Sequence, residues 1–415
     1  MLGFRKPVSV PPPPAALPLP GPTLHPRMSQ SGGLAVSIDC RYIRERPSGI
    51  GAYVQALVDR LPALAPAARF QLWVDARATL PLSPLPNVRE RTVRAPANGL
   101  STLLAPSRLV DLSGIDVLHA PFNILGRGIA CPTVVTIHDL MWLESPALSE
   151  GLSPATPFKA AFYRDGILRA LRTATRLVAI SHSTADVITR MAPGSSRRVR
   201  VVPHGIEARF RPPPDRARAE HAAGTLLGID GPYLLVVGQN TPSKNQRAVL
   251  EAFATAALDE RVHLVVLQRL YRGRRVGVLG SAPLDVRARE LGVAQRVVFP
   301  ARLPDDAVVR VLQGARALVQ FSRYEGFGLP ALEALACGTP VVASDIAPLV
   351  EVLGGAALHV PLDAAKLCRA LERVTQDRPL AAELSARGPE RARAFSWDRS
   401  AALHLEAYRE AARDG

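Results

Sequence analysis

The stretch Arg323-Tyr324-Glu325-Gly326-Phe327-Gly328-Leu329-Pro330-Ala331-Leu332-Glu333-Ala334-Leu335-Ala336-Cys337-Gly338-Thr339-Pro340 decides the fold. An apolar run ends at Phe321 just before it, Pro330 suits the first position of a helix, and Gly338 followed by Pro340 suits its end. The order is therefore strand, glycine-rich loop, helix. That order places Glu325 at a strand's carboxyl end, beside free amides of a helix N-terminus that can receive a phosphate or the oxygens of a polyol. Gly326 and Gly328 allow the backbone close to a ligand. Glu333 falls one turn inside the helix, directed toward the same cleft. Taken singly, Glu333 is a first-turn carboxylate favoured by the helix dipole and Glu325 a solvated loop charge. Two carboxylates around one such loop favour a site.

On either side of this stretch, short apolar runs alternate with amphipathic segments from Leu34 onward, the pattern of parallel sheets with crossover helices. Strands are expected over 34–38, 70–74, 117–119, 133–137, 177–180 and 199–202. A second series is expected over 233–237, 263–267, 297–299, 317–321, 340–343 and 358–360, with helices between, such as 246–257 and 364–374. The run Arg211-Pro212-Pro213-Pro214-Asp215 separates the series as an interdomain linker. This predicts an α/β protein of two doubly wound domains, 34–212 and 213–395, with a polar cleft where strand ends face each other. A helix over 396–415 is expected to pack back on the first domain. Residues 1–33 hold nine prolines and end in Ser31-Gly32-Gly33. They read as a disordered leader, because prolines break the apolar stretch that a secretory signal requires.

Length and composition agree with this outline. The 415 residues suffice for two or three domains, and 47% hydrophobic with 21% charged residues is ordinary for a globular chain. No apolar run approaches the roughly 18 residues of a membrane span. Cys40, Cys131, Cys337 and Cys368 lie far apart without zinc-type spacing, which suits reduced thiols in a cytoplasmic protein. Lys plus Arg is 51 against 36 for Asp plus Glu, and most of the +15 excess falls in the first half. Such an excess suits nucleic acid, anionic lipid or phosphorylated ligands. Only Lys6, Lys159, Lys244 and Lys366 are lysines, so a lysine inside a motif draws notice. Lys244 follows Val237-Gly238-Gln239-Asn240-Thr241-Pro242-Ser243 at a strand-to-helix turn, where a compact charge can neutralise a diphosphate; the plainer alternative is a solvated lysine at a helix start.

The pair Glu325 and Glu333, with Gly326, Phe327, Gly328 and Leu329 between them, resembles the E-G-F-G-x-x-x-x-E signature of the retaining glycosyltransferases of family 4, which have the GT-B fold. The resemblance runs from about Leu34 to the C-terminus and includes 334–345. It implies that Glu325 accepts hydrogen bonds from the donor sugar, that Glu333 holds the ribose, and that the second domain binds a nucleotide-diphosphate sugar as co-substrate while the first binds the acceptor. Gly49-Ile50-Gly51 looks like the family's glycine loop, where amides face the donor phosphate, although an ordinary turn fits equally. His138, at the end of a strand candidate, matches the family's histidine near the donor sugar, with a core histidine as the alternative. The family usually pairs the lysine at Lys244 with an arginine, where this chain has Gln239 and Ser243. Arg269 or Arg272 would have to fill that role. His138, Lys244 and Glu325 are the implied catalytic residues; Gly49, Gly51, Gly238, Gln239, Lys244, Gly326, Phe327, Gly328, Leu329 and Glu333 are the implied donor-binding residues.

No resident cofactor is expected, and with no Asp-x-Asp motif a metal-independent hexosyl transfer is implied. The stretches H-A-P-F-N (119–123) and T-I-H-D-L (136–140) look most like mannosyl or related hexosyl transferases of surface polysaccharide synthesis. The acceptor is expected to be a glycan or lipid-linked. Residues 158–172 read as a basic amphipathic helix, either a crossover helix with a solvated face or one lying on an anionic membrane, so peripheral contact with the cytoplasmic leaflet is an expectation. The alternatives are a GT-B sugar-nucleotide epimerase, which would place different acid/base residues, and a non-catalytic nucleic-acid-binding protein. The latter is suggested by charge alone and lacks any binding module, so no nucleic-acid partner is expected.

Overall fold

The structure, a computed structural model, describes residues 33–414 except 44–48, 79–80, 151–155, 269–282 and 302. The leader over 1–32, and with it Arg269 and Arg272, lies outside the described residues. Two wholly parallel sheets organise the chain. The first comprises β1 (Ala35–Asp39), β2 (Arg69–Asp75), β3 (Val88–Val93), β4 (Val117–Ala120), β5 (Thr133–Ile137), β6 (Arg176–Ala179) and β7 (Val199–Val201), in the order β3-β2-β1-β4-β5-β6-β7. The second comprises β8 (Tyr233–Val237), β9 (His263–Leu267), β10 (Val297–Val298), β11 (Ala317–Gln320), β12 (Val341–Ser344) and β13 (Leu358–Val360), in the order β10-β9-β8-β11-β12-β13. In each sheet the strand order reverses beside its first strand, between β1 and β4 and between β8 and β11. Doubly wound folds bind ligands at such a switch point.

The sheets form because nearly every strand residue can be buried on both faces. β1 and β5 are buried throughout, as parallel strands under helices require. The edge strands are less covered: β7 is half-buried throughout, and β3, which the sequence reading passed over, is the most exposed. Half of its residues Val-Arg-Glu-Arg-Thr-Val are exposed, and among the described residues it pairs with β2 alone. Its charges suit an edge and resist pairing with another chain.

The linker ends where Asp215 caps helix Arg216–Leu227, accepting a hydrogen bond from the Arg218 amide. The chain returns at Phe395, and helix Trp397–Asp414 then buries Trp397, Leu405 and Tyr408 among Val36, Ile38, Leu57 and Leu72 of the first core. Burying a side chain such as Leu405 contributes roughly 1.5–3 kcal/mol. Arg176 ties the far end of this helix by ion pairs to Glu410 and Asp414. The outgoing and returning segments touch at a parallel bridge between Ile206 and Ser396. Gly205 is required there, since a Cβ would stand 2.0 Å from the Trp397 amide nitrogen.

Candidate active site at the junction of the two sheets

Glu325 lies on the loop between β11 and helix Leu329–Ala336. Its side chain is 9% exposed. Lys244 Nζ donates to both carboxylate oxygens at 2.6 and 2.8 Å, and Gln320 Nε2 and Ser322 Oγ donate to Oε1 at 2.8 and 2.7 Å. Charge-assisted bonds of this kind are the strong ones, so the carboxylate is held in one orientation. Lys244 is aimed by a single 3-10 turn, Pro242–Lys244, followed by Asn245 in the left-handed region at φ 53°. The Arg323 amide donates to the Ser243 carbonyl at 2.7 Å, tying the β8 loop to the β11 loop. Gln246 Nε2 donates to the Gly238 carbonyl beneath them. The structure thus brings together Glu325 and Lys244, two residues 81 positions apart.

The other motif residues divide by what their side chains do. Gly328 caps helix Leu329–Ala336 at φ 96°, and a Cβ there would meet Leu349 Cδ2 at 2.4 Å. Phe327, implied by the resemblance to bind donor, is buried with its ring against His204 and Phe395, at 5.1 and 5.6 Å between centroids. Its side chain is a core element, because an aromatic ring gains more from that apolar junction than from a wet cleft. Leu329 likewise packs against the second core, leaving its backbone for any ligand. Glu333 is half-buried on the helix; after burial itself, its charge is the next influence holding the Cys337 thiol up at about 12. Gln239 is exposed and Gly238 takes a φ of 137°. Ser243 is buried and hydrogen-bonded to Thr241.

The first domain meets this loop through His138, at the end of β5. Its Nε2 donates to the Pro121 carbonyl at 2.8 Å, and its amide donates to Asn123 Oδ1 at 2.7 Å. Because a carbonyl only accepts, the proton sits on Nε2 and Nδ1 is left as an acceptor. Burial pushes the imidazole down to about 4, so it is neutral at pH 7. Gly326 rests on this residue: a Cβ would stand 1.8 Å from the His138 carbonyl oxygen. Ser181 Oγ donates to the Gly326 carbonyl at 3.0 Å. Tyr324 Oη donates to Glu144 at 2.7 Å and accepts from the Leu140 amide. Glu351 accepts from the amides of His182 and Ser183 and from Ser183 Oγ, placing a carboxylate from the second domain on a helix N-terminus of the first. Asp139 is packed at the same junction; burial raises its pKa, the Met141 amide opposes this, and the nearby Glu325 charge adds to the rise.

Gly49 and Gly51, expected in a loop, instead form the first turn of helix Gly49–Val58. A Cβ on Gly49 would meet nothing within 4 Å, while Gly51 is buried. Tyr53 of that helix connects it to the site, its ring edge-on to His138 at 5.1 Å. From Tyr53 a buried hydrogen-bond chain runs to the C-terminal helix, and one carbonyl sets its direction. His404 Nδ1 must donate to the Ser400 carbonyl, so its Nε2 accepts from Tyr53 Oη at 2.6 Å. Tyr53 Oη then accepts from Thr136, Thr136 Oγ1 accepts from His119 Nε2, and His119 Nδ1 accepts from Tyr408 Oη. Every member is satisfied, and buried polar networks of that kind rigidify what they connect.

Sequence reasoning missed Gln320, Ser322, Tyr324, Glu144, Asp139 and Glu351. The signal for the first two was available, since polar residues rarely end an apolar strand without a partner. Tyr324, Glu144 and Glu351 have partners in the other domain, and Asp139, bonded locally to the Met141 amide, is brought to the site only by the packing of the two domains, so no local pattern announces them.

The comparisons with known proteins agree with this geometry. A family model described as glycosyl transferases group 1 matches residues 218–391, and one described as Glycosyltransferase Family 4 matches residues 47–210. The chain belongs to the family 4 glycosyltransferases, with the GT-B fold. A D-inositol 3-phosphate glycosyltransferase of Acidothermus cellulolyticus is 31% identical to this glycosyltransferase over 93% of this chain and 87% of its own length. Sucrose-phosphate synthase of Thermosynechococcus elongatus superposes with a TM-score of 0.70 at 19% identity, over 91% of this chain and 98% of that one. HepE of Anabaena, solved in complex with UDP-glucose, superposes with a TM-score of 0.64 at 17% identity, over 90% and 99%. The two structures share the fold. The enzyme therefore transfers a sugar from a nucleotide-sugar donor.

Proposed function

We propose that this glycosyltransferase moves a hexose, mannose or a close relative, from a nucleoside-diphosphate donor to a glycan or lipid-linked acceptor with retention of configuration. The single observation that carries the reading is the Glu325 carboxylate, fixed by Lys244, Gln320 and Ser322 at the end of β11 and set against His138 through Gly326. A carboxylate so placed accepts hydrogen bonds from sugar hydroxyls. Lys244 is 28% exposed, and it and the amides opening helix Leu329–Ala336 are the groups that meet the charge developing on the departing diphosphate, without a metal ion. Glu333 receives the ribose hydroxyls. Neutral His138, with Nδ1 free to accept, orients a sugar hydroxyl rather than delivering a charge. The acceptor hydroxyl attacks on the face from which the nucleotide leaves, and the leaving phosphate oxygen takes its proton.

Membrane contact is part of the same reading. Helix Thr156–Thr173 buries Ile167, Ala170 and Leu171 against the first domain, so its inner face belongs to a crossover helix. Phe158 is 81% exposed beside Lys159, and Leu100 and Leu104 are exposed on the same domain. Among the described residues no helix is long and apolar enough to cross a membrane; the exposed Phe158, Leu100 and Leu104 support docking on a membrane surface that carries the acceptor.

The test is calorimetric titration with UDP, GDP and ADP of the intact protein and of Glu333→Ala. One nucleotide should bind and lose at least tenfold in affinity in the variant, and turnover of the matching sugar nucleotide should survive EDTA. Equal binding by both proteins would refute the ribose assignment, and full turnover by Glu325→Gln would refute the placement of the sugar.

A further inference from the structure

Besides the β8–β11 switch point, the junction encloses a cavity of about 300 Å³. That is the lower end of the range for small-ligand sites, about 300–1,000 Å³. Glu325 and Gly326 line it on one side and Asp139 on the other, so it adjoins the loop whose carboxylate is assigned to the donor sugar. Its far wall is helix His182–Met191, and Ile346, Ala347 and Pro348 supply an apolar surface opposite. We propose that this cavity is the acceptor subsite and that it selects an uncharged polyhydroxyl acceptor, a sugar or cyclitol end, against one bearing a phosphomonoester. The proposal rests on the donor placement above and adds the class of the second substrate.

The charge of the lining carries the selectivity. Four carboxylates, Asp139, Glu144, Asp186 and Glu325, and two guanidinium groups, Arg190 and Arg323, line it; Lys244, bonded to Glu325 from outside the lining, offsets one more, which leaves a single net negative charge. Arg190 is already bonded to Glu144 at 2.9 Å, and Tyr324 Oη donates to the second oxygen of Glu144. Carboxylates and the Ser183 hydroxyl oxygen match hydroxyl groups of a sugar, which need acceptors for their protons. A phosphomonoester, near −2 at neutral pH, would enter a space whose lining is net negative, and like-charge juxtaposition is a common means of excluding the wrong partner. The inositol-phosphate relative is named for a phosphorylated acceptor; this chain is inferred to differ from it at this point.

The experiment pairs acceptors that differ only by phosphate: methyl α-mannoside against methyl α-mannoside 6-phosphate, and myo-inositol against inositol 3-phosphate. Each is assayed with the sugar nucleotide that binds in the calorimetric panel. The neutral member of each pair should have a kcat/KM at least tenfold higher. Asp186→Lys, on an exposed position of the helix, should shrink that ratio several-fold, and Ala347→Trp, which fills the cavity from an exposed helix start, should raise acceptor KM at least tenfold with nucleotide affinity unchanged. Preference for the phosphorylated member, an unaltered ratio in Asp186→Lys, or unaltered acceptor KM in Ala347→Trp overturns the proposal. Should no sugar nucleotide bind or react, the donor reading fails. Saturation-transfer NMR with the same four compounds then decides the cavity alone, which is overturned if the neutral probes show no transfer or if Ala347→Trp leaves it intact.

Discussion

Acidification from pH 7.0 to 5.5 should destabilise the first domain steeply, because four histidines are buried there in neutral form. His119, His138, His204 and His404 are all nearly inaccessible. Burial holds His138 and His404 at about 4 and His119 and His204 well below the ordinary value. In the unfolded chain each returns to about 6.5. The folded values are depressed, so the unfolded chain binds more protons; stability is complete above about 6.5 and is lost as pH falls toward 4. At pH 5.5 about nine-tenths of unfolded histidines are protonated and almost none of these four in the fold. That costs a little over 1 kcal/mol per histidine relative to pH 7.0, or roughly 5 kcal/mol together, comparable with the lower end of total domain stability, about 5–15 kcal/mol. Asp139, raised by burial, works in the opposite sense and offsets part of the loss. Calorimetric unfolding at pH 5.5 in buffers of different ionisation enthalpy counts the protons taken up without assuming a two-state transition. Three to four protons are expected from this cluster. An uptake below about one proton, with the urea midpoint unchanged from pH 7.0, would refute the neutral, buried assignment.

Two further outcomes follow from contacts at the junction and on the surface. Gly326→Ala would press a methyl group onto the His138 carbonyl, 1.8 Å from its Cβ position; moving the loop by an ångström should cost about a hundredfold in kcat, measured by steady-state kinetics, and an unaltered kcat would show that the loop does not position Glu325. At low salt the protein should cosediment with anionic liposomes, with binding weakened several-fold in Phe158→Ser; equal sedimentation with neutral liposomes would remove the membrane reading.

Much of the donor side was legible because it is local. Lys244 and Glu325 each sit where an apolar run meets a turn before a helix, and in a parallel sheet all such turns emerge on one edge. Adjacent strands β8 and β11 therefore had to bring the two loops together. Other elements escaped for definite reasons. Strand β3 is polar because only one of its edges is paired. Gly49 and Gly51 resemble a loop by composition, yet the apolar face that follows them draws both into the first turn of a helix. Phe327 belongs to a signature, but its ring is buried at the crossing of the two domains.

By itself, the sequence determined the α/β class, the two strand series, the loop bearing Glu325, and the family, since each is written in spacing of a few residues or in local apolar periodicity. Tertiary structure alone decided that Gln320 and Ser322 hold Glu325, that Gly326 rests on His138, that Tyr53, His119, His404 and Tyr408 form one directed chain, and that Asp139 and Asp186 share a cavity with Glu325. Those facts depend on approaches between residues up to 351 positions apart. Distances of that kind are set by how two sheets and a returning helix pack, and no local propensity encodes them.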